Sequence, residues 1–373
     1  MQKIKLECNT DTCNVFIGVN FFDNRQLFSD VIPLANHFIV IADENVAPLY
    51  AVPLLSYFSD KKCDLITVPA GEESKSREVK QQIEDQMLDL GCGRDTAIVA
   101  VGGGVITDLG GYVAATYCRG IPSVYIPTTL LAMVDAAIGG KTGVNTSFGK
   151  NLIGSFYQPM HVFCDINVLR TLSSDELANG LVETLKHALI VDNSFFHQLV
   201  LLLDKLNTQQ SLIVEELEGL ITRSCQIKCD IVAADEHERN GRRQLLNFGH
   251  TIAHGIEVLK DYRTSHGQAV LAGLWVESCL SNLCGYLSDT AFTTIKLALR
   301  KIKFSTPLKV ATLQLPRLKQ LLKLDKKSVS AQAHFVLLDD IGKAHVEQNN
   351  YSFPIAEEKL DQALRLWLEQ GQQ

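Results

Sequence analysis

The chain has 373 residues, enough for two domains that each bury a core. An apolar share of 46% with 21% charged residues is that of a globular protein, neither disordered nor membrane-spanning. The net charge of -7 gives no overall attraction to polyanions, so small-molecule chemistry is expected, with no nucleic-acid or membrane partner.

The N-terminal residues 1–13 lack the apolar core of a secretory signal, and no apolar stretch is long enough to span a bilayer. The ten cysteines are therefore read as reduced thiols of a cytoplasmic protein. No C-x-x-C pair occurs, and Cys225 and Cys229, four apart on a predicted helix, read as half-buried small side chains. Short runs rich in Val and Ile at residues 38–42, 64–68, 96–101, 123–126 and 162–164 predict buried strands. Between them Val79, Ile83, Met87 and Leu90 recur at helical spacing and stop at Gly91. Strands alternating with helices predict a parallel, Rossmann-like sheet in an α/β domain over residues 1–170. From residue 171 to 373 the pattern turns helical, at 177–191, 195–206, 212–232, 251–259, 268–287 and 360–368, which predicts a mostly α-helical second domain.

After the strand ending at Val101 come Gly102, Gly103 and Gly104, opening a helix as G-x-G-x-x-T with Thr107 in place of the third glycine of a dinucleotide fingerprint. Glycines let backbone approach a pyrophosphate, and helix N-terminal N–H groups supply donors. Asp43 ends one strand and Pro69 to Lys75 follows the next, both at carboxyl ends where ligands of open α/β sheets bind. Helix capping by Glu72 and Glu73 is the plain alternative.

His250 and His254 stand four apart on one helical face, and His266 follows just before another helix. A satisfied core histidine is the commoner fate of any one of them, but three with a carboxylate make a zinc-like donor set. Glu183 is the candidate carboxylate, four residues before His187. Spacing does not choose between Glu183 with His187 and either one singly, nor between His254 and His266 beside His250. Asp135, Lys141, Lys150 and Asn151 lie among glycines, a run suited to phosphate or carboxylate.

The stretches VGGGVITDLGGYVAATYCRG, IPTTLLAMVDAAIGGKTGVN, GKNLIGSFYQP, NGLVETLKH, DIVAADE, LLNFGHTIAHGIE, HGQAV and LDKK, in this order, resemble the 3-dehydroquinate synthase family of sugar-phosphate cyclases. The resemblance covers about residues 43–326. It implies a lyase of the shikimate pathway, and so of chorismate and aromatic amino-acid biosynthesis. Such an enzyme converts 3-deoxy-D-arabino-heptulosonate 7-phosphate to 3-dehydroquinate and phosphate by transient NAD oxidation, phosphate elimination, re-reduction and intramolecular aldol closure. The implied metal ligands, for zinc or cobalt, are Glu183, His250 and His266. The implied NAD contacts are Asp43, Glu72, Lys75, Gly103, Gly104, Asp108, Thr128, Thr129, Lys150 and Thr171. The implied substrate contacts are Arg119, Asp135, Lys141, Asn151, Lys186, Lys228, Arg243, Asn247, His254 and Lys326, with Lys141, Lys186, Glu238, Arg243 and His254 as the catalytic set. A homodimer is also implied. Thr107 departs from the family's glycine and bears on how closely the helix packs there. The segment from Glu238 to Arg243 is one residue longer than usual. A polyol dehydrogenase of the same fold would consume NAD and need no phosphate site, which the lysines and arginines argue against. No substituted ligand position suggests a catalytically dead relative.

Overall fold

A computed structural model describes residues 1–8, 11–208, 214–311, 314–324 and 333–371. Lys326, expected at the substrate, and Leu212, the expected start of a helix, lie outside the described residues. The chain divides into two compact units, Met1–Leu172 with Leu217–Ala233, and Ser173–Glu216 with Ala234–Gln373.

The first unit holds a seven-stranded sheet in the order β1-β2-β9-β6-β5-β3-β4, all parallel except the β1/β2 pair. Its members are β1 (Gln2–Glu7), β2 (Thr12–Gly18), β3 (His37–Asp43), β4 (Lys62–Val68), β5 (Thr96–Gly102), β6 (Ser123–Pro127) and β9 (His161–Asp165). In β5, β6 and β9 every residue is buried, as parallel strands covered on both faces require. Those three and β3 and β4 are the strands the apolar runs predict. The short turn α1 (Val52–Leu55) precedes β4, and α2 (Arg77–Asp89) follows it. The Ser76 hydroxyl accepts the Val79 N–H at the start of α2, and Gly91, at φ 72°, closes its end.

Helix α3 (Gly104–Thr116) leaves the sheet directly after β5. Thr107 is fully buried and its hydroxyl donates to the Gly104 carbonyl at 3.2 Å. The tightest approach of this helix lies at Gly111, where a Cβ would stand 2.1 Å from the Tyr125 hydroxyl and 2.5 Å from Thr142 Cγ2. The close packing therefore does not depend on a glycine at 107. A hairpin of β7 (Lys141–Thr146) and β8 (Gly149–Phe156) forms its own two-stranded sheet. Further helices are α4 (Ser174–Val191), α5 (Asn193–Thr208) and α6 (Val214–Ala234). Most of α6 belongs to the first unit, where the Cys225 thiol donates to the Met133 carbonyl at 3.3 Å.

The second unit is mostly helical, with α4, α5, α7 (His250–Leu259), α8 (His266–Leu283), α9 (Asp289–Leu299), α10 (Leu315–Leu324) and α11 (Glu357–Gln370). Two minor two-stranded pairs complete it. Among the described residues no helix is long and apolar enough to cross a membrane.

Candidate active site

From Ala178 to Ile190 every residue of α4 is buried, so this stretch has no solvated face on which to carry charge. Glu183, Lys186 and His187 nevertheless lie in this stretch, and ionisable groups there must find partners. Glu183 and Lys186 form an ion pair one turn apart. Two other helices bring histidines to the same carboxylate, each as its first residue. His250 opens α7 after Gly249, whose φ is 82° and whose N–H donates to the buried Glu277 carboxylate at 2.8 Å. There α8 passes so closely that a Cβ on Gly273 would lie 1.8 Å from the Gly249 carbonyl oxygen. His266 opens α8 through a capping box of Ser265 and Gln268. The next N–H, that of Gly267, donates to Asn179 Oδ1 at 3.1 Å, one turn before Glu183 on α4.

The result is a compact donor set. Glu183 Oε1 lies 3.2 Å from His266 Nε2 and 3.7 Å from His250 Nε2, and one ligand atom from each residue falls within 4.8 Å of the others. His250 Nδ1 is 3.2 Å from the Phe248 carbonyl, which makes that nitrogen the N–H donor and turns the Nε2 lone pair toward Glu183. Two imidazole nitrogens and a carboxylate oxygen suit zinc or cobalt and leave coordination positions for a substrate oxygen. His254 lies against His250, ring centroids 5.7 Å apart and nearly perpendicular, while His187 is fully buried one turn beyond Glu183.

Burial and the Lys186 cation hold His250 well below its usual pKa, in the neutral form a metal requires. Burial also opposes charge on His266, but hydrogen bonds to Glu183 and Glu257 outweigh it and raise its pKa to about 10. That proton stabilises the metal-free fold fully below pH 6.5 and its contribution fades as pH climbs through about 10. A metal ion must displace it, so zinc affinity should rise with pH across the neutral range, by up to about tenfold per unit. Competition against a chelator of known affinity at several pH values measures this, and a flat profile would contradict it.

The first unit carries the residues expected at NAD. Gly103 caps α3 without any side-chain bond to its first turn, leaving N–H groups for an incoming anion, and Gly104 is the first helical residue. Asp43 ends β3 and accepts the N–H groups of Asn45 and Val46 at 2.9 and 3.0 Å. Lys75 reaches Asp108 at 2.5 Å, and both are largely buried. Burial pushes the Asp108 carboxyl up, with Lys75 opposing. The Thr128 N–H donates to the Gly102 carbonyl, Thr129 Oγ1 accepts the Ala132 N–H, and Thr171 Oγ1 pairs with the Tyr50 hydroxyl at 2.7 Å. Glu72 accepts from the Asn145 amide at 2.7 Å, the Asn145 N–H donates to the Lys75 carbonyl, and Asn145 Oδ1 accepts the Asn151 N–H. Asn145 thus ties the loop of Glu72 and Lys75 to the hairpin that carries Lys150 and Asn151.

Of the expected substrate residues in this unit, Lys228 on α6 pairs with Asp135 at 2.5 Å. Lys141 and Asn151 are exposed on the hairpin, and Arg119 is exposed on a turn with φ 69°. In the second unit Arg243 is 2% exposed and its guanidinium donates to the Glu236 carbonyl. The segment holding Glu238 and Arg243 is folded around Asp235, whose carboxylate accepts the N–H groups of Arg239, Asn240 and Arg243 at 2.8, 3.0 and 3.1 Å. Those three bonds hold the Asp235 carboxyl below its usual pKa despite burial. Asn247 and His254 are half-buried.

Four supporting residues receive no role from the sequence reading: Asn145, Asp235, Glu257 and Glu277. Asn145, Asp235 and Glu257 stand inside the family stretches without a role assigned to them, and the signal for Glu277 is an acid inside an otherwise apolar helix.

Residues 65–179 match the family model for the 3-dehydroquinate synthase N-terminal region, and residues 180–328 that for its C-terminal region. The chain is 37% identical over 372 residues to the 3-dehydroquinate synthase of Coxiella burnetii, covering 99% of both chains. Among solved structures it is similar to 2-epi-5-epi-valiolone synthase from Streptomyces hygroscopicus with NAD+ and Zn2+ bound, at 28% identity, TM-score 0.80 and 99% coverage of both. It shares its fold with 2-deoxy-scyllo-inosose synthase complexed with carbaglucose-6-phosphate, NAD+ and Co2+, at TM-score 0.85, 23% identity, and 98% and 99% coverage. On these matches, the chain belongs to the 3-dehydroquinate synthase family.

Proposed function

We propose that the chain converts 3-deoxy-D-arabino-heptulosonate 7-phosphate to 3-dehydroquinate and phosphate, as an NAD- and metal-dependent phosphorus–oxygen lyase of the shikimate pathway. The observation that carries this reading is the set of buried Glu183 with half-buried His250 and His266, beside Lys186, in a chain of this family. Zinc or cobalt would be held by those residues, and NAD by Asp43, Glu72, Lys75, Gly103, Gly104, Asp108, Thr128, Thr129, Lys150 and Thr171. When bound, the metal supplies a Lewis acid for a substrate oxygen and NAD a hydride acceptor that is restored within the turnover.

The chain's own groups do the rest. Arg119, Lys141, Lys186, Lys228, Arg243 and Lys326 bind the anionic ends of the substrate, with Asp135, Asn151, Asn247 and His254 orienting its hydroxyls. Lys228 is already aligned by its bond to Asp135. Glu238 and His254 serve proton movement, and much of the catalysis is positioning that restricts side reactions of a reactive intermediate. A homodimer in a reducing cytoplasm belongs to the same reading.

The test is phosphate release by the purified protein with heptulosonate phosphate, NAD and zinc, followed together with the NADH absorbance band. Phosphate should accumulate with no net NADH. Stoichiometric NADH would instead mark a polyol dehydrogenase.

A further inference from the structure

We propose that Glu257 is a positioning residue for the metal centre, one that fixes the ring of His266 so that its Nε2 faces Glu183. The inference rests on the metal reading above and adds to it a residue outside the ligand set. Glu257 stands two turns after His250 on α7, is 3% exposed, and places Oε1 3.3 Å from His266 Nδ1. The opposite ring nitrogen, Nε2, lies 3.2 Å from Glu183 Oε1. An imidazole that donates its Nδ1 proton to a carboxylate has its tautomer and its rotation set, and the Nε2 lone pair is left for a cation.

The two histidines are held by different means. His250 leans on a backbone carbonyl, that of Phe248, which no side-chain substitution removes. His266 depends on a side chain, and it is also the more open of the two, with its side chain 30% exposed against 13% for His250. Loss of the bond to Glu257 therefore frees the ring that has most room to turn. Glu257 meets the far side of that ring, so its place is behind the ligand and not beside it.

Orientation and long-range charge make opposite demands on two conservative variants. Glu257→Gln keeps an oxygen acceptor at the same reach and loses the charge; Glu257→Asp keeps the charge and falls short of Nδ1. Zinc affinity should be measured by chelator competition, and the visible absorption of the cobalt-loaded protein recorded for each variant. Glu257→Gln should bind zinc within a few-fold of the parent chain and keep its cobalt spectrum. Glu257→Asp and Glu257→Ala should lose about 10- to 100-fold in affinity and shift that spectrum. The reverse order, with the Asp variant intact and the Gln variant weak, would overturn the positioning role in favour of charge alone. Parent-like affinity and spectrum in Glu257→Ala would overturn it outright. Should Glu257→Ala fail to fold, the Gln and Asp pair decides. A parent chain that binds no zinc overturns the metal reading itself, an outcome none of the variant comparisons can mimic.

Discussion

Glu183→Gln should abolish phosphate release, by at least about a thousandfold, because several kcal/mol of charge stabilisation at the metal pass through this one carboxylate. Glu183 is the only acid of the donor set, is fully buried, and faces both His250 and His266. It also neutralises Lys186, whose ammonium is 1% exposed. Breaking a buried pair by removing one partner costs about 3–5 kcal/mol, so an alanine there would confuse unfolding with lost chemistry. Glutamine keeps the volume and an acceptor for Lys186, and its melting temperature shows whether the fold has survived. The parent chain stripped of metal by exhaustive chelation should be equally inactive, and zinc or cobalt should restore the parent but not the variant. Full turnover by the metal-free parent would end the metal reading.

The sequence exposes much of this fold, and the reason is physical. Strands such as Thr96–Gly102 are buried on both faces and must be apolar throughout, so they stand out as runs. The edge strand Gln2–Glu7 alternates exposed and buried residues over only six positions, and the hairpin from Lys141 to Phe156 is broken by glycines and mixes buried, half-buried and exposed positions, so neither carries a run. Helix α6 reads as part of a helical series, yet most of it groups with the α/β unit, since periodicity reports which face is apolar and not what that face meets.

The site was legible to the same degree. Spacing cannot choose between His254 and His266 beside His250 because it sees one helix at a time. The donor set instead uses the first residues of α7 and α8, brought to Glu183 by contacts distant in sequence, those of Gly249 with Gly273 and of Asn179 with Gly267. The family resemblance names His266 where spacing cannot. Neither reading gives Glu257 or Glu277 a role, although Glu257 ends a family stretch, because an acid inside an apolar helix gains its meaning only from the group it faces.

Arg243→Met should erase the enzyme's preference for a carboxylate-bearing substrate. All members of a cyclase family need the NAD loop and the metal, so discrimination must come from groups that meet the far end of the substrate. Arg243 is a guanidinium 2% exposed, in a segment pinned by three backbone bonds to Asp235, so its position is fixed before substrate arrives. A buried cation that loses an anionic partner is costly, and a site built to bind a charged group rejects the analogue lacking it. The parent chain should therefore favour heptulosonate phosphate over sedoheptulose 7-phosphate by a few kcal/mol, on the order of a hundredfold or more in kcat/KM. Methionine keeps most of the length and removes the charge, so turnover of heptulosonate phosphate should fall by a similar factor while that of sedoheptulose 7-phosphate changes little. The same comparison applies to Lys326→Ala. Phosphate release from both substrates, with melting temperatures for each protein, makes the measurement. If the parent favours sedoheptulose 7-phosphate, the substrate is misassigned; if Arg243→Met lowers both rates equally, Arg243 holds the fold or the shared phosphate and not the carboxylate.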